Sequence, residues 1–198
     1  MKPLLIATGN RGKLREIEAI LGNEVNLKNL ADFPDAHEVI EDGGTFEANA
    51  IKKASEMCKL TGLITLADDS GLEVDFLDGA PGIYSARFAG PDTTDEDNNK
   101  KLLGLLENVP NGKRQARFRC VIAIVTPDGE VKTISGTWEG HIIHEPRGTN
   151  GFGYDPLFFS PEQRKTSAEL EREQKNRVSH RGKALRAAKS LILDTLGD

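Results

Sequence analysis

Two adjacent carboxylates, those of Asp68 and Asp69, follow an apolar run at residues 63–67 that is typical of a buried strand. We expect this strand to end at the two acids and Ser70 and Gly71 to form a turn. Because successive residues of a strand point to opposite faces, the two acids cannot do the same job. Acids at a strand end can hold a hard metal ion or accept a proton from water. A turn in which Asp68 and Ser70 bind backbone N–H groups is the alternative, and this stretch alone does not choose between them.

A glycine-rich turn lies between a predicted first strand at residues 3–7 and a predicted helix at residues 13–21. Such a turn presents backbone N–H groups and the positive end of a helix, which suits phosphate, although an ordinary βα turn has the same composition. The glycine spacing is not that of a P-loop. Lys13 favours an anionic partner, because a cation in the first turn of a helix is otherwise disfavoured. The residues of this turn are Thr8, Gly9, Asn10, Arg11, Gly12 and Lys13.

A second glycine-rich loop carries Phe152 between Gly151 and Gly153. Glycines on both sides allow the backbone near this ring to approach a ligand closely. Stacking a base on such a ring is worth about 1–3 kcal/mol. An aromatic ring packed into the core beneath a turn is an equally weighted alternative.

The charge of the chain is unevenly distributed. Residues 163–190 carry nine Lys or Arg against three Glu, whereas the whole chain has a net charge of −5. An acidic body with one basic segment argues against a general nucleic-acid binder, which shows a broad basic face with interleaved aromatic residues. It suits a small polyanion held between a metal site and a cationic wall, and a solvated basic helix is the usual alternative.

The composition is that of one globular domain, residues 1–198, with 37% apolar and 29% charged residues. The longest apolar run, residues 120–125, is far short of the roughly 20 residues that span a bilayer, so no membrane partner is expected. Two cysteines, Cys58 and Cys120, fall in helix and strand patterns. They suggest reduced, packed thiols and therefore a cytoplasmic protein.

Helix and strand patterns alternate along the chain and indicate an α/β fold with a mixed sheet. Helices are predicted from Thr45 to a cap at Gly62, from the N-cap Thr94 to about residue 108, and at the C-terminal end, with Ser179 as a candidate N-cap. A hairpin is predicted over residues 116–137, with its second arm reaching up to residue 144. Residues 166–169 have the spacing of a capping box that opens a short helix.

Taken in order, these segments resemble the family of inosine/xanthosine triphosphate pyrophosphatases, which clear deaminated purine nucleotides. Each motif is weak alone, but together they cover nearly the whole chain and are highly specific. The matching segments are Thr8-Gly9-Asn10-x-Gly12-Lys13, Glu41, Thr45-Phe46-x-x-Asn49-Ala50-x-x-Lys53-Ala54, Ala67-Asp68-Asp69-Ser70-Gly71-Leu72, Gly79-Ala80-Pro81-Gly82-Ile83-Tyr84-Ser85-Ala86-Arg87, Gly151-Phe152-Gly153-Tyr154-Asp155-Pro156, Lys175 and Ser179-His180-Arg181.

The resemblance implies an elongated mixed sheet flanked by helices, two lobes around a central nucleotide cleft, a homodimer and a magnesium-dependent reaction. ITP, dITP or XTP would be cut between the α and β phosphorus atoms to give the monophosphate and pyrophosphate. Residues 8–13 and Lys53 would hold the triphosphate. The metal would be held by Glu41 and Asp69. Asp69 would also accept the proton of the attacking water, with Asp68 in support. The residues implied for the rest of the substrate are Ser70, Phe152 as the stacking ring, Gly153, Tyr154, Asp155, Lys175, His180 and Arg181.

The residue chemistry agrees with this hypothesis. Magnesium prefers one or two carboxylates with waters and substrate phosphates, which matches two acids without a His/Cys cage. Donors such as His180 and Arg181 suit a 6-keto purine, and a buried donor left unpaired by adenine costs about 1–3 kcal/mol.

Three alternatives remain from the sequence. A non-catalytic nucleotide-sensing module would keep the pocket, but it has no need of paired acids that repel a triphosphate without a metal. A pyrophosphatase for modified pyrimidine nucleotides would differ in base preference. A retaining glycosidase also uses paired acids, but it leaves the lysines and the glycine-rich turn unexplained.

Overall fold

The strands form one mixed sheet in the order β2-β1-β3-β4-β5-β6-β7. The computed structural model describes residues 2–22, 24–37 and 39–197. β1 is parallel to both β2 and β3, whereas β5, β6 and β7 pair antiparallel. Helices flank the sheet, so the predicted α/β class is confirmed. The strands are β1 Leu4–Ile6, β2 Leu27–Asn29, β3 Ile64–Val74, β4 Gln115–Val125, β5 Val131–Ile142, β6 Phe158–Ser160 and β7 Lys165–Thr166.

The helices follow the local signals of the sequence closely. Within the described residues they are α1 Arg11–Leu21, α2 Phe46–Thr61, α3 Asp95–Leu105, α4 Arg172–Val178 and α5 His180–Gly197. Thr45 caps α2 by accepting from the Ala48 N–H, and Gly62 ends it in the left-handed conformation at φ 68°. Both caps confirm the prediction. No described helix has the length and apolar composition needed to cross a membrane.

Other predicted boundaries were partly right. Thr94 is the N-cap of α3, but that helix ends at Leu105, before the predicted residue 108. The hairpin is formed by β4 and β5, whose second arm extends to Ile142. The capping box at residues 166–169 is present and opens a single 3₁₀ turn. Helix α4 was not predicted, and Ser179 lies between it and α5.

The chain divides into two compact units. Unit 1 comprises Met1–Asp69, Cys120–Gly136 and Arg181–Asp198, and unit 2 comprises Ser70–Arg119 and Thr137–His180. Each has its own apolar core. Unit 1 buries residues of β1, α1, β4 and α5 around Leu66, and unit 2 buries Trp138 and Phe158 with residues of α3.

The predicted strand end at the two acids is wrong, because β3 continues through both acids and through Ser70 and Gly71 as far as Val74. It is the neighbouring strand that ends there. β1 pairs with β3 only as far as Ile6 opposite Leu66, followed by one hydrogen bond from the Ala7 N–H to the Leu66 carbonyl at 2.8 Å. The acids therefore lie beyond the end of β1 on a strand that continues in the sheet, and no turn is needed to place them there.

Candidate active site

Asp68 is a buried anion of unit 1, only 1% exposed. Its Oδ2 lies 3.2 Å from the Lys13 ammonium and accepts from Nε and Nη2 of Arg181 at 3.2 and 3.1 Å. Burial alone would raise the pKa of this carboxyl, but Lys13 and Arg181 outweigh it and hold the pKa well below its usual range. Asp68 therefore stays ionised and is unsuited to accepting a proton.

Asp69, the next residue, has different partners. Its Oδ2 accepts from Nδ2 of Asn49 at 3.1 Å, and its Oδ1 lies 3.8 Å from the Lys53 ammonium. Burial raises its pKa, and the opposing effects of Lys53 and Lys13 leave it above the ordinary value. The two neighbouring acids thus differ in their hydrogen-bond partners and in the direction of their pKa shifts. A carboxylate with a raised pKa is a stronger base than an ordinary aspartate once it is ionised.

Lys53 brings the two predicted metal-binding carboxylates to one point. Its ammonium donates to Oε1 of Glu41 and to the backbone carbonyl of Asp68, the latter at 2.7 Å, and it lies 3.8 Å from Oδ1 of Asp69. Burial would lower the pKa of the Lys53 ammonium, but the carboxylates of Asp68, Asp69 and Glu41 outweigh this effect and raise the pKa. Lys53 therefore remains a cation.

The carboxylates around Lys53 fit a hard divalent cation. A positive charge already lies beside Glu41 and Asp69, and both offer oxygen donors. Among the described residues there is no group of three or more His, Cys, Asp or Glu side chains placed to hold a metal. Two protein carboxylates leave most coordination positions to water and phosphate oxygens, which is the pattern that Mg²⁺ prefers over a closed protein cage.

The glycine-rich turn is capped by its own asparagine. Oδ1 of Asn10 accepts from the backbone N–H groups of Gly12 and Lys13 at 2.8 and 3.0 Å, and Oγ1 of Thr8 accepts from the N–H of Asn10 at 3.2 Å. The amides predicted to meet phosphate are thus already engaged by the chain. The anionic partner predicted for Lys13 is supplied by Asp68.

Arg181 belongs to this same cluster of unit 1. It is 1% exposed, and besides Asp68 it donates through Nη1 to Oε2 of Glu16 on α1. Burial would lower its pKa, but the two carboxylates outweigh it and raise the pKa. Sequence analysis did not identify Glu16. The one available signal was the position of Glu16 three residues after Lys13 on the same helix, which makes the two side chains neighbours on the helix surface.

Unit 2 holds the loop predicted to bind the base. The Lys175 ammonium lies 2.6 Å from Oδ2 of Asp155 and 4.8 Å from the centre of the Phe152 ring. The same Oδ2 accepts from the backbone N–H of Phe152 at 2.9 Å. Gly151 has φ 81°, and a Cβ there would collide with Asp155. This arrangement fixes a partly exposed aromatic ring with a cation against it.

Helix α3 fixes the residue after Phe152. Oδ2 of Asp95 accepts from the Gly153 N–H at 2.6 Å, and Nδ2 of Asn99 donates to the Gly153 carbonyl at 2.9 Å. The two side chains are four residues apart and so lie on one face of the helix. Sequence analysis predicted α3 only as a helix capped by Thr94, and no local signal linked it to a loop over fifty residues away.

Of the other residues predicted to bind substrate in unit 2, Tyr154 and His180 are buried and Ser70 is half-buried. Tyr154 is buried in the core and its hydroxyl donates to the Ser85 carbonyl at 2.8 Å. Its pKa is raised by burial and by Asp95. The His180 ring is buried and stacks on Phe118 with the ring centres 4.8 Å apart. Ser70 is half-buried within β3.

Comparison with known proteins identifies the family. The model of the Ham1 family matches residues 4–191. The chain belongs to the Ham1 family. The resemblance seen in the motifs is thereby confirmed over nearly the whole length of the chain.

Several Ham1 relatives are similar along their full length. The dITP/XTP pyrophosphatase of Geobacter sulfurreducens is 58% identical over 198 residues, which are 100% of this chain and 98% of that protein. That of Desulforamulus reducens is 54% identical over 96% of this chain and 94% of its own. The solved HAM1 protein of Coxiella burnetii has a TM-score of 0.89 and 41% identity, covering 98% of this chain and 100% of that one. The Staphylococcus aureus Ham1 protein has a TM-score of 0.87, with the same identity and coverage.

Proposed function

We propose that this chain hydrolyses deaminated purine nucleoside triphosphates, ITP, dITP and XTP, to the monophosphate and pyrophosphate. The observation that carries the proposal is the unequal state of two adjacent buried acids. Asp68 is locked as an anion by Lys13 and Arg181, whereas Asp69 has a raised pKa beside Lys53. The dITP/XTP pyrophosphatases named above, similar over their full length, support this choice of substrate.

The residues of unit 1 bind the triphosphate and prepare the water. Lys13 and Lys53 are cations held by carboxylates, and phosphate oxygens exchange for Asp68 and Glu41 as their partners when substrate arrives. Residues 8–12, which precede and begin α1, hold the triphosphate together with Lys13. Asp69 accepts the proton as water attacks the α-phosphorus, and pyrophosphate leaves.

Glu41 and Asp69 would hold a Mg²⁺ ion, for which their oxygen donors are suited. When bound, it supplies charge neutralisation on the phosphate oxygens and makes water easier to deprotonate. Asp69 then has two tasks, one toward the cation and one toward the proton of water. Asp68 contributes by keeping Arg181 in place.

The residues of unit 2 bind the base. Phe152 stacks on it, Asp155 holds Lys175 against the ring, and Gly153 and Tyr154 give the loop its shape. His180 and Lys175 supply donors toward the 6-keto group of hypoxanthine and xanthine, a group that adenine lacks. Because three nitrogens of Arg181 already donate to Asp68 or Glu16, we assign Arg181 first to holding Asp68. Ser70 contacts the substrate. The chain works as a homodimer in the cytoplasm.

Pyrophosphate release from ITP, XTP, ATP and GTP with Mg²⁺ tests this function, with the wild type and Asp69→Asn compared. We expect fast turnover of ITP and XTP only. The variant should lose about 10²–10⁴-fold in rate, the usual contribution of a general base. Equal rates on all four substrates would contradict recognition of the base at position 6. Tight ITP binding without release of pyrophosphate would instead identify a nucleotide-sensing module.

A further inference from the structure

Asn49 is a fully buried polar side chain of α2 with both ends of its amide in use. Its Nδ2 donates to Oδ2 of Asp69 at 3.1 Å, and its Oδ1 accepts from the backbone N–H of Gly43 at 2.8 Å. Gly43 is two residues from Glu41 in the segment that we name the Glu41 loop, residues 39–44. One side chain therefore connects the loop that bears one carboxylate to the strand that bears the other.

The bond to Asn49 fixes the orientation of the Asp69 carboxylate. Because Oδ2 accepts from Asn49, Oδ1 is the atom that lies 3.8 Å from the Lys53 ammonium. An aspartate whose Oδ2 accepts a hydrogen bond cannot rotate its carboxylate freely about the Cβ–Cγ bond. Asn49 therefore determines the direction in which Asp69 presents its other oxygen.

The contact between the Glu41 loop and Asn49 is too close for any residue but glycine at position 43. A Cβ added to Gly43 would lie 2.7 Å from Oδ1 of Asn49 and 2.9 Å from Cβ of Ala48. The same atom added to the adjacent Gly44 would meet nothing within 4 Å. The loop is thus anchored at one position by direct contact of its backbone with α2.

The loop also meets α2 through two ion pairs that a ligand can displace. Lys53 binds Glu41, and Lys52 lies 2.7 Å from Asp42 near the surface. A triphosphate that takes Lys53 as a partner releases Glu41 from it. The Asn49 bond involves no cation and survives that exchange.

We infer that Asn49 is a positioning residue that holds Asp69 and the Glu41 loop in register, so that both carboxylates meet one divalent cation. The inference rests on the proposed function, for which Glu41 and Asp69 hold the metal. Groups that orient metal ligands through hydrogen bonds typically cost 10–100-fold in metal affinity when they are removed. Nothing about this role requires Asn49 to touch the substrate.

Two matched pairs of variants test the inference. Asn49→Ala is compared with Asn98→Ala, because Asn98 is also a buried helix asparagine that fixes a loop. Its Oδ1 accepts from the Ala89 N–H at 2.7 Å and its Nδ2 donates to the Ala86 carbonyl at 3.2 Å. Gly43→Ala is compared with Gly44→Ala, which adds the same methyl group into open space.

Three readouts separate positioning from general stability: binding of Mn²⁺ without nucleotide, hydrogen exchange of residues 39–44, and the Mg²⁺ concentration that gives half-maximal pyrophosphate release. Asn49→Ala and Gly43→Ala should weaken metal binding by on the order of tenfold and speed exchange in the loop. The Asn98 and Gly44 variants should leave all three at the wild-type values, whatever stability they lose.

Wild-type metal binding and loop exchange in both Asn49→Ala and Gly43→Ala would overturn the inference, and so would equal changes in their controls. If Asn49→Ala does not fold, Gly43→Ala decides alone. Failure of the proposed function looks different. The wild type would then release no pyrophosphate, while Mn²⁺ binding and hydrogen exchange would still report on Asn49.

Discussion

Oδ2 of Asp68 accepts hydrogen bonds from two nitrogens of Arg181, although the residues are 113 positions apart in sequence. The same oxygen lies 3.2 Å from the Lys13 ammonium. One buried oxygen thus connects β3, α1 and the start of α5 in unit 1. Removing one partner of such a cluster leaves buried charges uncompensated, which is more costly than never having the cluster at all.

Asp68→Asn is therefore expected to destabilise the protein by about 3–5 kcal/mol at neutral pH. Because the folded-state pKa of Asp68 lies below its unfolded value, its contribution is present above that value. The contribution is lost progressively as the pH falls below about 5. Denaturant unfolding at pH 7.5 and pH 3 measures both effects.

Asp42→Asn is the control for that experiment, because Asp42 pairs with Lys52 at the surface. It should change the free energy of unfolding much less than Asp68→Asn does. The Asp68 variant should also lose less stability between the two pH values than the wild type. Equal losses for the variant and the wild type would show that Asp68 does not carry the effect.

Asn99→Ala is expected to loosen the base loop without touching unit 1. The change removes the donor to the Gly153 carbonyl while Asp95 still holds the Gly153 N–H. We expect the KM for XTP to rise by about fivefold, which corresponds to the roughly 1 kcal/mol net value of one hydrogen bond, and kcat to change less. Lys100→Ala, an exposed substitution on the same helix, should leave both values unchanged. A drop in kcat with KM preserved would argue against this role for Asn99.

Both cysteines are expected to be unreactive in the folded protein. Cys58 and Cys120 are buried, and burial raises the pKa of the Cys120 thiol to about 12. A thiol reagent at pH 8 should therefore label neither residue quickly, whereas two thiols per chain should react in guanidinium. Rapid labelling of one thiol before unfolding would contradict the buried placement.

Local signals in the sequence were sufficient for features that depend on neighbouring residues. Helix α2 is capped at its two ends by Thr45 and Gly62, as predicted. An N-cap hydroxyl and a left-handed C-cap depend only on residues within one helical turn of the cap. The family motifs also identified the residues that cluster in unit 1, among them Lys13, Lys53 and Asp69. Their types indicated phosphate and metal chemistry before any distance was known.

Features that depend on distant residues could not be predicted in this way. The position of the two acids beyond the end of a neighbouring strand depends on where β1 ends, at Ile6, and the sequence around Asp68 does not contain that information. The pairing of Arg181 with Glu16 joins residues 165 positions apart, and neither has a periodic signal that points to the other. Asn49 was visible as part of a motif, but only the contacts of both ends of its amide give it a role.

Attack of water at the α-phosphorus, with Asp69 as the proton acceptor, is tested most directly by single-turnover hydrolysis of XTP in ¹⁸O-labelled water. We expect the label in the nucleoside monophosphate, none in the pyrophosphate, and a reaction slowed by about 10²–10⁴-fold in Asp69→Asn. Label in the pyrophosphate would place the attack at the β-phosphorus and contradict the proposed reaction. An unchanged rate in Asp69→Asn would remove Asp69 from the role assigned to it.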